Sequence, residues 1–214
     1  MIKSDKTPVI LHIPKTGGTS MRRTLGLPKF LGHHELIGRI RMMRFIRSQN
    51  DPYVFSFLRC PIDRAISAYH HFSTNLLVRD KPVGCRVAWT ISTLVSMGEL
   101  DLNKFYRALL RDEYLNMERL SYSVSHFKPQ SFWVNRNNDL KSMCHYYDFG
   151  RFSEEYQRLL YDIGAKNSPR LKHELRSKAR TYSENSFDSD VEGMLRNYYA
   201  DDFALLDQNK IPHA

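Results

Sequence analysis

Twice in its first third, the chain carries a short unbroken apolar run that ends in a turn and passes directly into a helical pattern. The first run is "PVILHI", residues 8–13, ended by Pro14; the second is "YVFSFL", residues 53–58. Apolar runs this short, with no polar alternation, suit strands covered on both faces, the usual state of a parallel sheet. After the first, "TSMRRTLG" opens on Thr19, a good N-cap residue, and stops at Gly26. After the second, Pro61 takes the first helical position and "IDRAISAYHHF" has helical apolar spacing. This repeated strand–turn–helix order predicts an α/β fold: a P-loop-like, three-layer arrangement with a central parallel sheet flanked by helices.

The remaining chain fits that plan. "RVAWTISTLVSMG" reads as a buried helical stretch, and "DLNKFYRALLRDEY" as a helix capped by Asp101. "MCHYYDF" reads as a further strand. "SEEYQRLLYDIG" reads as a helix with Ser153 as N-cap and Gly164 as its stop, and "SDVEGMLRNYYADDFALL" as one terminal helix. A length of 214 residues, without a repeat or a low-complexity linker, predicts a single domain over 1–214.

Composition narrows the partners. The formal charge of +9 favours anionic ones without choosing among nucleic acid, acidic glycans and phosphorylated small molecules. Cys60, Cys85 and Cys144 are far apart, so neither a disulfide framework nor a zinc site is implied. No apolar run approaches the roughly 20 residues that cross a bilayer. The opening "MIKSDKTPVILHI" lacks the features of a secretory signal. The expected setting is cytoplasmic, the alternative being a lumenal catalytic domain separated from its anchor.

The turn after the first run is "PKTGGTS", residues 14–20. A strand, a glycine-containing turn and a helix amino terminus make a ready anion site, because backbone N–H groups and the helix dipole both favour negative charge. Lys15 adds a cation, Gly17 and Gly18 allow close approach, and Thr16, Thr19 and Ser20 add hydroxyl donors. The ordinary nucleotide loop is G-x-x-x-x-G-K-[ST]; here the lysine precedes the glycines. Alone, the stretch is also compatible with a plain βα turn.

The second turn, "RCPIDRAISAY", places Arg59 at the carboxyl end of its strand and Ser67 on the following helix. Ligands of open α/β sheets bind at those strand ends, and arginine can grip a phosphate with two hydrogen bonds. An NTPase usually places a Mg²⁺-binding carboxylate near a later strand end, whereas this position holds Arg59. A phosphate loop plus a separate cationic site calls for a ligand with two separated anionic groups, such as an adenosine 3',5'-bisphosphate. Arg64, one turn into the helix, suits a structural ion pair better than a phosphate contact.

"PKTGGTS" resembles the 5'-phosphosulfate loop of sulfotransferases, and "RCPIDRAISAY" resembles their 3'-phosphate motif, R-x-P-x-x-R-x-x-S-x-Y. The pair is similar to the carbohydrate sulfotransferase family that includes heparan sulfate 2-O-sulfotransferases and bacterial relatives. "HFKPQSFW" and "YYDFGRFSEEYQRLLYDIG" resemble later segments of that family. The resemblance implies PAPS (3'-phosphoadenosine 5'-phosphosulfate) as donor, adenosine 3',5'-bisphosphate as product, a hydroxyl acceptor on a sugar or glycan, and no metal. Lys15 and residues 16–20 would stabilise charge on the phosphosulfate, and Arg59 and Ser67 would hold the 3'-phosphate. In the family a Gly-His between the two loops carries the proposed base. "LGHHEL" supplies His33 there, with His34 or Glu35 as fallback; Leu31 replaces the first histidine of the family's H-G-H pattern. His126 and Gln130 of "HFKPQ" are candidates for lining the acceptor pocket.

Two basic runs, "RIRMMRFIR" and "PRLKHELRSKAR", read as solvated helix faces or as contacts to an acidic ligand. Two other functions remain open at this point: a nucleotide-dependent phosphotransferase with a variant loop, and a non-enzymatic polyanion-binding module. No specific nucleic-acid partner is implied.

Overall fold

A computed structural model describes residues 2–28, 43–75, 101–111, 126–135, 142–171 and 186–213. In chain order the elements are β1 (Thr7–Ile10), α1 (Gly18–Leu25), β2 (Pro52–Leu58), α2 (Pro61–Asn75), α3 (Leu102–Arg111), α4 (Gln130–Asn135), β3 (His145–Asp148), α5 (Phe152–Asp162), α6 (Ser189–Tyr198) and α7 (Ala200–Gln208). The chain divides into two compact units. The first comprises Met1–Arg59, Gln130–Arg176 and Leu205–Ala214; the second comprises Cys60–Pro129 and Ser177–Ala204.

The first unit holds a parallel sheet in the order β1-β2-β3, with Val9 beside Val54 and Phe57 beside Tyr147. β2 is buried from Tyr53 through Leu58, as an apolar run without alternation requires when both faces are covered. Its core joins Val9, Ile10, Phe55 and Leu58 to Met21 and Leu25 of α1, Leu159 and Leu160 of α5, and Leu206 of α7. Each such side chain contributes about 1.5–3 kcal/mol of burial free energy. The molecule is therefore α/β, with a parallel sheet flanked by helices in a three-layer arrangement. Two polar groups inside are paired directly: Ser56 donates to the Leu11 carbonyl (2.8 Å), and the Tyr147 hydroxyl donates to Asp162 (2.6 Å). Burial raises the Tyr147 hydroxyl's pKa far above the ordinary phenol value, and the Asp162 carboxylate it bonds adds to the effect, so Tyr147 stays a donor.

The second unit packs Ile62 and Tyr69 of α2 against Phe105, Tyr106 and Leu109 of α3 and Val191 and Leu195 of α6. Arg107 on α3 reaches Asp190 (2.7 and 2.9 Å) and Asp188 (2.6 Å) at the start of α6. The hydrogen bond from Arg107 holds the Asp190 carboxyl below its ordinary range. That contribution to stability is fully present above about pH 4 and fades as pH falls through the lowered value.

Three local expectations are corrected. Thr19 is not the N-cap of α1: Gly17 caps it, and the helix starts at Gly18. Ser153 lies inside α5, whose N-cap is Arg151; Asp148 accepts from the Gly150 N–H (2.6 Å) and Arg151 Nε (3.3 Å), closing the turn early enough for the helix to begin at Phe152. The stretch expected to form one terminal helix is two, broken at Tyr199 (φ −101°, ψ 19°), whose buried hydroxyl is tied to the Phe127 carbonyl (2.9 Å). The boundary signals at Gly26, Pro61 and Gly164 appear where the sequence placed them. "RVAWTISTLVSMG" lies outside the described residues. Among those residues, no helix is long and apolar enough to cross a membrane.

Asp101 caps α3 as expected, its carboxylate accepting the Lys104 N–H at 2.8 Å. Asp101→Ala should cost about 1 kcal/mol, read as a lower urea midpoint with an unchanged slope.

Candidate functional site

β1 delivers the chain to a tight turn of unusual backbone. Lys15 has φ 69° and Gly17 has φ 77°, with Thr16 between them outside the left-handed region. Alternation of this kind turns successive N–H groups toward one concavity, a nest that binds anions. A lysine in left-handed conformation is strained by about 1–2 kcal/mol. Among the described residues, only Lys15 and Lys210 are non-glycines in that region.

The two glycines have different causes. A Cβ at position 17 would lie 2.8 Å from the rings of both Phe149 and Phe152 and would also have to adopt the positive φ. A Cβ at position 18 would collide with the His12 ring. The helix that follows presents its first N–H groups without intrahelical acceptors, and those of Gly18 and Thr19 meet no other backbone carbonyl among the described residues. The buried Thr16 hydroxyl donates to the Ile13 carbonyl at 3.0 Å, tying the turn back to the end of the strand run. Thr19 is half-buried and Ser20 buried in the first turn of α1.

Arg59 leaves the sheet directly after β2. Its N–H donates to Gln130 Oε1 (2.9 Å), and Gln130 Nε2 donates to its carbonyl (2.8 Å). Gln130 is fully buried, so its amide grips the Arg59 backbone at two points, as a neighbouring strand would. The Arg59 guanidinium stands 4.8 Å over the Phe149 ring, and Nη1 lies 3.4 Å from the Lys15 carbonyl. Lys15, the loop over 16–20, Arg59 and Gln130 thus converge within the first unit. Gln130, expected beside an acceptor, uses its amide on Arg59. Phe149 and Phe152 were not singled out from sequence; the "YYDFGRF" stretch carries them, but nothing local ties them to a loop over 130 residues earlier.

Ser67 and His126 belong to the second unit. Ser67 is half-buried on α2. His126 is buried and its ring stacks on that of His71, with centroids 5.2 Å apart and planes at 16°. Arg64, only 1% exposed, donates Nη1 to the His126 carbonyl (3.1 Å) and Nη2 to that of Lys128. Tyr199 donates to the carbonyl between them, Phe127 (2.9 Å), and its ring faces the Arg64 guanidinium at 5.5 Å. Three consecutive carbonyls are therefore held by two buried side chains. Arg64, expected in an ion pair, has backbone carbonyls among its partners. His33 and His34 lie outside the described residues. Among those residues no group of three or more His, Cys, Asp or Glu side chains converges as a metal site requires.

No protein-family model matches the chain, and comparison with curated proteins and with solved structures returned no match.

Gly18→Ala should lower the melting temperature, and the loss should shrink when His12→Ala vacates the space; equal losses in both backgrounds would show that the ring is not the obstacle. Arg64→Met leaves two buried carbonyls without their donor and should cost about 2 kcal/mol or more in urea unfolding.

Proposed function

We propose that the chain is a PAPS-dependent sulfotransferase that acts on an acceptor hydroxyl, most reasonably of a sugar. The observation that carries this reading is the placement of Arg59 against the Lys15 turn, at the carboxyl ends of two adjacent parallel strands. Two cationic groups on separate loops of one unit suit a ligand with two separated anionic groups. The alternating backbone at 15–17 and the amino terminus of α1 suit a phosphosulfate.

The bound donor supplies the sulfuryl group. Lys15 and the N–H groups of the turn stabilise negative charge developing on the leaving oxygen. Arg59 binds the 3'-phosphate and thereby orients the donor. His33, with His34 as the fallback, takes the acceptor proton; an imidazole with an ordinary pKa of about 6.5 suits that role near neutral pH. His126 is assigned to the acceptor side. Gln130 acts through Arg59, by fixing its backbone.

Thermal shift without metal, comparing adenosine 3',5'-bisphosphate with AMP and ATP, tests the reading. The bisphosphate should stabilise the protein more than either; a response equal to that of AMP would sink the proposal, and a Mg²⁺-dependent preference for ATP would favour a phosphotransferase. Lys15→Ala should lower sulfuryl transfer by about 10²–10³-fold. Arg59→Ala should weaken bisphosphate binding by about tenfold or more. His33→Ala should cut turnover by about 10²–10⁴-fold at nearly unchanged donor affinity, and an unchanged rate would move the base elsewhere.

A further inference from the structure

A polar cavity of about 280 Å³ opens in the first unit, lined by β3, α5 and the turn that follows α7. It shares no lining residue with the Lys15 turn or with Arg59 and Gln130. Its size lies near the lower end for ligand cavities, roughly 300–1,000 Å³. Arg151, Glu155 and Arg158 contribute along one helical stripe, spaced four and three residues apart.

Charge in this cavity is layered. The side chains of Asp148 and Glu155 are 8% and 5% exposed, whereas those of Arg151 and Arg158 are 55% and 60% exposed. An entering molecule meets the cations first. Arg151 bonds Asp148 through Nε (3.3 Å) and Glu155 through Nη2 (3.1 Å), and Arg158 bonds Glu155 through Nη1 (3.2 Å). A guanidinium has five N–H donors, so each arginine keeps donors for a ligand. Lys210 is exposed and its ammonium has no partner among the described residues. The three cations exceed the two carboxylates of the lining by one charge.

Two further observations point the same way. The Tyr146 hydroxyl, on the cavity lining, is buried without a full hydrogen bond. Its polar neighbour is the Cys144 thiol, a weak partner that burial keeps protonated, with a pKa pushed up to about 12. Lys210 meanwhile occupies the left-handed position (φ 54°) that ends α7. The paired bonds Lys210 N–H to Asp207 and Ile211 N–H to Leu206, both 3.0 Å, define a Schellman ending, where glycine is the favoured residue. A strained lysine at the rim of a cavity repeats the situation of Lys15 in the first loop.

We propose that this cavity binds a small molecule through one oxyanion group, a carboxylate, phosphate or sulfate, gripped by Arg158 and Lys210 with Arg151 alongside. Binding is non-covalent and independent of the donor site. The buried carboxylates hold the arginines in place, with Glu154 3.9 Å from Arg151 and Asp162 3.8 Å from Arg158 on their outer sides. Tyr146 contributes to the wall beneath them.

The test uses the full 214-residue chain carrying Lys15→Ala and Arg59→Ala, which removes both cations of the first site. It is titrated by calorimetry with a hexose monophosphate, a hexuronate and the neutral hexose. Both anions should bind and the neutral sugar should not, and the tighter of the two names the ligand's source. Lys210→Glu and, separately, Arg158→Gln should each weaken anion binding by about tenfold or more. Lys210→Glu alters an exposed side chain without a partner among the described residues, and an unchanged melting temperature shows that the fold is intact. Absence of anion binding, equal binding of the neutral hexose, or affinity unchanged in Lys210→Glu would each overturn the proposal. Titration of the unsubstituted chain with adenosine 3',5'-bisphosphate reports on the donor site separately.

Discussion

Three aromatic rings occupy the space that residues 17 and 18 would need for side chains, and the candidate site depends on that exclusion. Phe149 and Phe152 close over Gly17, and His12 closes over Gly18. The Phe149 ring is shared, because the Arg59 guanidinium stacks on it while its own N–H extends the β2–β3 pairing to the Leu58 carbonyl (2.8 Å). The first loop, Arg59 and the β3–α5 turn are therefore one packed assembly. Interiors at crystal-like density transmit small volume changes, so a methyl group at either glycine displaces the anion-facing backbone as well as the core.

Polar groups around this assembly are committed with little redundancy. The Thr16 hydroxyl holds Ile13, Ser56 holds Leu11, and Gln130 holds both backbone groups of Arg59. Each bond satisfies a group that would be costly to bury alone. Beside these bonds stand Lys15 in its left-handed backbone, the opening N–H groups of α1 and the Arg59 guanidinium on the Phe149 ring. In the second unit Arg64 and Tyr199 do for the 126–128 turn what Gln130 does for Arg59, fixing its backbone.

The elements themselves were largely legible. An apolar run without alternation reports a strand covered on both faces, and β1 and β2 are such strands. Gly26, Pro61, Asp101 and Gly164 act through their own backbone or side-chain chemistry within a turn of where they stand, so their signals survive folding. Thr19 and Ser153 were misread as caps because a cap depends on where the preceding turn closes. Contacts from Phe149, Phe152 and Asp148 decided that. The break at Tyr199 was hidden for a similar reason, since its hydroxyl is anchored to a carbonyl 72 residues away.

The sequence by itself determined the order of the three strands and of the helices that directly follow them, the anion-favouring character of the first loop and the cation at the end of β2. These follow from local periodicity, missing side chains and formal charge. Only the tertiary structure decided that Lys15 takes a left-handed backbone, that Gln130 serves Arg59, and that Arg151, Arg158 and Lys210 face one cavity over two buried carboxylates. Those facts rest on contacts between residues far apart in the chain, where packing and the burial of polar groups, not local preference, select the conformation.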